Sequence, residues 1–152
     1  MTTVYRLVNA RHSRDAFSGE GARLYGGRWN PPGFPVVYAS HSRALAILET
    51  FVHLVLEARS LQFLLYELAL PKDARQRHYE APENVWRRPG SPQITQDAAR
   101  EWLIEGSALA LVAPSVIVPH ETNVVLNVRH PQFARVQISK PEPFSLDERL
   151  WK

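Results

Sequence analysis

The stretch Gly26–Leu54, GGRWNPPGFPVVYASHSRALAILETFVHL, leaves the chain few ways to fold, because turn, strand and helix signals follow one another without a spacer. Gly26-Gly27 opens backbone angles closed to other residues and lets a ligand approach the main chain closely. Asn30-Pro31-Pro32-Gly33 is strong turn chemistry, so Arg28-Trp29 is expected as a short extended piece ending in a stiff turn. Phe34 to Ala39 reads as a strand, with Pro35 marking an edge or a first position. Ser40 or Ser42 is placed to cap the following helix. Arg28, Tyr38 and Glu49 then sit on three adjacent elements that can converge on one pocket.

At roughly 100° per residue, Ala44, Leu45, Ile47, Leu48, Phe51, Val52, Val55 and Leu56 cover a wide apolar arc. This helix is expected to be largely buried, with Glu49 on the border of the arc and His53 one turn later on the same side. A buried carboxylate is costly unless paired. The plainer alternative is a border salt bridge between Glu49 and a surface Arg.

The remaining elements frame this stretch. Val4 to Val8 reads as a first strand; Arg6 lies close to the core if Val4, Leu7 and Val8 pack inward, and in solvent if the strand is an edge. Asn9 to Gly21 reads as a polar loop. Leu61 to Leu70 is a clear strand, and Lys72 to Gln93, rich in Pro and Arg, reads as loop and turn. Thr95 opens a helix that closes near Gly106. Ala108–Val112 and Ser115–Val118 read as strand pieces broken by Pro114. Glu121-Thr122-Asn123 reads as a turn, Val124–Leu126 as a strand, His130–Phe133 as a turn and Val136–Ser139 as the last strand. The tail from Pro141 is expected to pack through Phe144, Leu146, Leu150 and Trp151. Strands and helices do not alternate strictly, which argues for an α+β domain of short, mostly antiparallel strands.

The length of 152 residues suits one domain, and 45% hydrophobic with 22% charged residues is an ordinary globular balance. No apolar run is long enough to span a bilayer, and MTTVYRLVNARHS lacks a signal-peptide core. The absence of Cys excludes disulfides and thiolate ligands, so a cytosolic protein is the simplest reading. A net charge of +3 suits an anionic ligand or an acidic partner, though no Lys/Arg block stands out. No Walker phosphate loop or dinucleotide fingerprint is present. The six His residues show no metal spacing. Ser115 follows Pro114 and lacks the nucleophile-elbow pattern.

The combination of Arg6 in a first strand, GGRWNPPG, VVYAS, ALAILETFVHL, and then APSVIVPHETNVVLN and HPQF resembles the RES domain family. That family is the toxin half of RES–Xre type II toxin–antitoxin systems. The resemblance runs from Tyr5 to about Phe133, so 1–152 is expected to be one RES domain. The Arg, Glu and Ser for which the family is known match Arg28, Glu49 and Ser115; Tyr38 matches its Tyr. Arg6 matches a first-strand Arg, and His53 and Asn127 match polar positions. The resemblance implies a fold similar to the ADP-ribosyltransferase toxins, with short strands in two small sheets and flanking helices. It implies NAD as a substrate, not a bound cofactor, with nicotinamide released by hydrolysis or phosphorolysis. It also implies a hetero-oligomer with an Xre-type helix-turn-helix antitoxin covering the pocket, DNA being met only through that partner, and no membrane.

The residues suit that chemistry on their own terms. Nicotinamide leaves as a neutral base from a cationic nitrogen, so its departure needs little acid catalysis. The ribosyl oxocarbenium ion can be stabilised by one carboxylate, and Glu49 is the candidate. A pyrophosphate favours planar, permanently charged donors, supplied by Arg28 and Arg6. Nicotinamide is a flat cation and calls for an aromatic wall, Tyr38 first and Trp29 second, with simple core an equal reading of Trp29. The Gly26-Gly27 backbone offers hydrogen bonds to the carboxamide. Ser115 can bind a ribose hydroxyl or a phosphate, or hold Glu49 in place. Two other classes stay open. One is an ADP-ribosyltransferase acting on a macromolecule; its Arg-modifying version often carries a Glu two residues before the catalytic one, where this chain has Ile47. The other is a non-catalytic or RNA-binding module, whose binding would fall steeply with salt.

Overall fold

A computed structural model describes residues 1–54, 60–87 and 92–151. Its described strands are β1 (Thr3–Asn9), β2 (Val36–Ser40), β3 (Phe63–Ala69), β4 (Gln76–His78), β5 (Ala110–Pro114), β6 (Thr122–Asn127), β7 (Gln137–Ile138) and β8 (Glu142–Phe144). Four helices join them: α1 (Glu20–Tyr25), α2 (Arg43–Phe51), α3 (Glu83–Trp86) and α4 (Pro92–Glu105).

The strands hydrogen-bond as one eight-stranded sheet in the order β4-β5-β6-β2-β1-β3-β7, with β8 also pairing β3. Every pairing is antiparallel except β4 with β5. This α+β domain departs from the expected two small sheets, and the reason is local. The halves β4-β5-β6-β2 and β1-β3-β7 are each laddered internally but meet at one register pair, Tyr5↔Ser40. A single pair joins what would otherwise be two sheets, and it leaves the flanking stretches of β1 and β2 free to line a cavity.

Strand alternation distributes the core. Val37 and Ala39 of β2, with Val124 and Leu126 of β6, join Val4, Val8, Tyr66 and Leu68 in one cluster. The intervening Val36 and Val125 face Trp29, Trp86, Ala99 and Trp102. The half-sheet around β6 is therefore buried on both faces, α4 covering one of them. Trp102 is fully buried, and its Nε1 donates to Ala108 O at 3.0 Å, so its one polar group is satisfied. A third cluster, Leu7, Phe63, Leu65 and Leu146, packs Ile47 and Phe51 of α2 together with Phe144 and Trp151 of the tail.

Ser42, rather than Ser40, caps α2: its side chain accepts from Leu45 N at 3.0 Å. The helix ends at Phe51 and is less buried than its arc suggested. Leu45 and Ala46 are buried, whereas Leu48 and Val52 are 36% and 51% exposed. Ile47 and Phe51 pack into the third cluster and Ala46, Glu49 and Thr50 line the cavity, whereas Leu48 and Val52 belong to neither. Val55 and Leu56 lie outside the described residues.

Other corrections follow from non-local pairing. The expected loop Asn9–Gly21 contains a 3-10 helix, Ala10–Asp15, and leads into α1. The expected loop Lys72–Gln93 contains β4, held by its pairing with β5, and α3; residues 88–91 of it lie outside the described residues. Arg28-Trp29 occupies the corner of a turn closed by the Gly27↔Asn30 bridge rather than an extended piece. Ser115–Val118 is irregular, and Thr122-Asn123 belongs to β6 because both residues pair with β5. Glu49, Arg28 and Tyr38 thus come from a helix, a turn and an interior strand around one opening.

Candidate active site

A cavity of about 750 Å³ opens where the two half-sheets meet. Tyr5, Arg6 and Leu7 of β1 line it on one side, and Tyr38, Ala39 and Ser40 of β2 on the other. The Gly26–Trp29 turn, Glu49 and Thr50 of α2, His53, Gln96 of α4 and Asn123 of β6 complete it.

Glu49 stands on the inner face of α2, opposite the end of β5 and the start of β6. Its Oε1 accepts two hydrogen bonds at 2.7 Å, from Ser115 Oγ and from Asn123 Nδ2. Each donor is itself fixed. Ser115 Oγ accepts from the N–H groups of Ile117 (3.1 Å) and Val118 (3.0 Å), which commits its proton to the carboxylate. Asn123 Oδ1 accepts from Ser40 Oγ at 2.6 Å, which sets the orientation of the amide. Among the described residues Glu49 makes no ion pair, so the border salt bridge is not what holds it, and Oε2 has no hydrogen-bond partner.

Another part of the lining is cationic. Arg6 shares a face of β1 with Val4 and Val8, and its guanidinium fills the gap between β1 and β2. Nε donates to Ala16 O at 3.0 Å and Nη1 to Tyr38 O at 2.8 Å. Loss of water lowers its pKa to about 10, so it stays charged at neutral pH. Both partners are neutral carbonyls; among the described residues no carboxylate lies within 4.0 Å. A cation taken out of water without a counter-charge is expensive, and one that faces a cavity is a ready site for an anion. Arg28 is also unpaired among the described residues: Nη1 makes one long bond, 3.4 Å, to Trp86 O, leaving its other donors for a ligand.

The turn carrying Arg28 is locked from several directions. Tyr38 OH donates to Asn30 Oδ1 at 2.6 Å and accepts from Trp29 N at 3.1 Å. Asn30 is fully buried, and its Nδ2 reaches Ala22 O at 2.9 Å and Pro31 O at 3.2 Å. Thr95 Oγ1 donates to Arg28 O at 2.5 Å, and Gln96 Nε2 to Gly27 O at 2.9 Å. Gly27 must be glycine, since a Cβ there would stand 2.6 Å from Tyr38 OH. Burial pushes the Tyr38 phenol well above its usual range, against weaker opposing pulls from the Trp29 amide and the Arg28 charge. Tyr38 is therefore a neutral phenol with its proton already committed, and it offers a ligand its ring rather than an acid.

Of the residues singled out from sequence, Arg6, Gly27, Arg28, Trp29, Tyr38, Glu49 and His53 all line the cavity. One open alternative is decided, and two arrangements differ from expectation. Trp29 is core, 3% exposed and edge-on to Tyr79 at 4.8 Å. The Gly26 and Gly27 N–H groups are committed to Ala22 O and Asn30 O, so they are not free for a carboxamide. Asn127 lies four residues along β6 from Asn123, about 13 Å away, and its Oδ1 accepts from Arg129 N at 3.0 Å. Ser115 is buried behind Glu49 rather than in the cavity lining, which favours its holding role. Sequence reasoning missed Asn123, Ser40, Asn30 and Gln96. It also missed Tyr25, an 83% exposed aromatic beside the glycine pair, whose signal was that position. Among the described residues no group of three His, Cys, Asp or Glu is set to hold a metal, and no helix is long and apolar enough to cross a membrane.

Fold and site together define an α+β domain whose pocket holds one fixed carboxylate and two guanidinium groups that have no carboxylate partner among the described residues. The chain belongs to the RES domain family, whose model matches residues 3–147. It is 37% identical over 150 residues to "Toxin Res" of Yersinia enterocolitica, covering 97% of this chain and 98% of that one. It is 34% identical over 155 residues to the "Prs ADP-ribosylating toxin" of Sphingobium sp., covering 98% and 96%. A shorter match, 52% over 48 residues, links it to the "NAD(+) phosphorylase MbcT" of Mycobacterium tuberculosis, covering 31% and 25%. The crystal structure of the M. tuberculosis MbcT-MbcA toxin-antitoxin complex shares the fold, with a TM-score of 0.77 at 21% identity over 94% of this chain and 84% of that one.

Proposed function

We propose that the chain is an NAD-consuming toxin that cleaves the bond between nicotinamide and ribose. The observation that carries this reading is Glu49, held by Ser115 and Asn123 with one oxygen left over, in the same cavity as Arg6 and Arg28. Arg6 and Arg28 take the pyrophosphate, and the Tyr38 ring flanks the nicotinamide. The bond from the nicotinamide nitrogen to the ribose carbon breaks, and its electron pair neutralises the cationic ring. Glu49 Oε2 faces the oxocarbenium ion that remains. Water or inorganic phosphate then adds to that carbon, water losing a proton to solvent. NAD is the substrate, and no resident cofactor or metal takes part.

In this reading the protein works in the cytoplasm, paired with a cognate antitoxin that covers the pocket. The partner is an Xre-type protein with a helix-turn-helix domain, and DNA is reached only through it. Attraction of acidic or C-terminal carboxylates to Arg6 and Arg28 suits such a cover. The mycobacterial toxin-antitoxin complex supports a partner antitoxin, and the names of the relatives, a toxin and an NAD(+) phosphorylase, support the activity.

Transfer of ADP-ribose to a protein is the second reading, favoured by the name of the Sphingobium relative. Ile47 bears against it in the Arg-modifying form, because this side chain packs into the core beside Leu7 and Phe63 and not toward the cavity. The two readings separate in one assay. The purified chain is incubated with NAD, with and without phosphate and with a bacterial lysate, and the products are identified. Free nicotinamide with ADP-ribose or its phosphate ester supports the first reading. Label found only on a macromolecule overturns it.

A further inference from the structure

The hydrogen-bonded chain Ser40–Asn123–Glu49 runs from a pair of neighbouring sheet strands to the helix above them. Ser40 is the last residue of β2, Asn123 the second of β6, and Glu49 stands midway along α2. Ser40 and Asn123 are 3% and 9% exposed, so each polar group must be paired or cost free energy. Register places them directly opposite one another in the β2–β6 ladder, Ser40↔Asn123, at the position where β2 makes its one contact pair with β1.

An Asn amide has a donor end and an acceptor end, and which one faces the carboxylate matters. With Ser40 donating to Oδ1 at 2.6 Å, Nδ2 is the end presented to Glu49 Oε1 at 2.7 Å. The reversed amide would set Oδ1 against a carboxylate oxygen, an electrostatic clash. Ser115 donates to the same Oε1 from the other side at 2.7 Å. Two neutral donors on one oxygen fix the carboxylate without cancelling its charge, as an Arg or Lys would. They also hold Oε2 away from the donors.

We propose that Asn123 is a positioning residue for Glu49, and that Ser40 acts through Asn123 by selecting the orientation of its amide. The proposal rests on the reading of Glu49 as the group that stabilises the ribosyl cation. It goes beyond that reading by assigning the aim of the carboxylate to a relay that runs through the sheet. Positive charge reaches the ribose carbon only as the bond to nicotinamide breaks, so the aim of the carboxylate counts mainly in the transition state. Asn123 therefore bears on turnover, with little effect on NAD binding.

The test uses the full chain, NAD as substrate, and kcat and KM measured separately, with thermal melting to check folding. Asn123→Asp keeps the shape, removes the donor and sets a second carboxylate beside Glu49. It is expected to lower kcat by roughly 10- to 100-fold, the worth of a hydrogen bond to a charged group, with KM nearly unchanged. Ser40→Ala, a minimal truncation in a buried site, is expected to lower kcat several-fold in the wild-type background. In the Asn123→Ala background the same change is expected to have no further effect, because Ser40 then has nothing to orient. Ser40→Ala costing the same in both backgrounds would overturn the relay. A rise in KM at constant kcat in Asn123→Asp would make Asn123 a substrate contact and overturn the positioning role. Glu49→Gln is assayed alongside. If it loses turnover while the Asn123 and Ser40 variants do not, the relay fails and the function stands. If Glu49→Gln itself keeps the wild-type rate, both fail together.

Discussion

The two walls of the cavity solve the burial of charge in opposite ways. On one, Glu49 receives two short hydrogen bonds from neutral donors that are themselves anchored to backbone and strand. On the other, Arg6 and Arg28 hydrogen-bond only carbonyl oxygens among the described residues. A carboxylate that must act on a transient cation has to be aimed before the cation forms, so its cost is met within the protein. Guanidinium groups that receive a pyrophosphate are better left short of partners, because the ligand completes them. The wall satisfied in the free protein is assigned to turnover, and the wall left incomplete is assigned to binding.

That division makes predictions that differ in kind as well as size. The largest effect is expected at Glu49. Glu49→Gln keeps the side chain's shape and should lower the NAD-cleavage rate by roughly two orders of magnitude or more, about 3 kcal/mol of transition-state stabilisation. Affinity for NAD, read by isothermal titration, should barely change; a variant that binds weakly but turns over normally would reverse the assignment of the walls. A smaller effect is expected at Arg28. Arg28→Lys keeps the charge but not the planar fork, and NAD affinity should fall roughly tenfold, the worth of one charge-assisted hydrogen bond. Unchanged affinity in a folded variant would remove Arg28 from the pyrophosphate. The smallest effect on turnover is expected at Tyr38. Because its proton is committed to Asn30, Tyr38→Phe should slow cleavage only a few-fold while lowering stability by about 1–3 kcal/mol, the cost of leaving buried Asn30 Oδ1 unmet. A loss of rate comparable to that of Glu49→Gln would show that the hydroxyl takes part in the chemistry.

What could be seen in the sequence divides along the same line. The cationic and aromatic groups lie in one continuous stretch or on the first strand, where local turn and strand signals place them. The carboxylate itself was visible from its place on α2. Its support was not, because Asn123 sits in Glu121-Thr122-Asn123, which carries turn chemistry and becomes strand only through pairing with β2 and β5. Asn127, on the same face of β6, was the residue that the family pattern suggested, and register alone separates the two. The sheet misled for a related reason. The resemblance implied two small sheets, and the pair Tyr5↔Ser40 that joins the two halves is a single non-local contact. Helix α2 was expected to be more buried because periodicity reports an apolar arc but not whether a second layer covers it. Leu48 and Val52 show that here only part of the arc is covered.

Harm to a cell through destruction of NAD by this pocket is tested by following NAD and growth together after inducing the chain in a bacterial host. NAD is expected to fall before growth stops with the wild type, and both are expected to hold steady with Glu49→Gln expressed to the same level. Growth arrest at normal NAD would contradict it and direct attention to a modified macromolecule or to RNA.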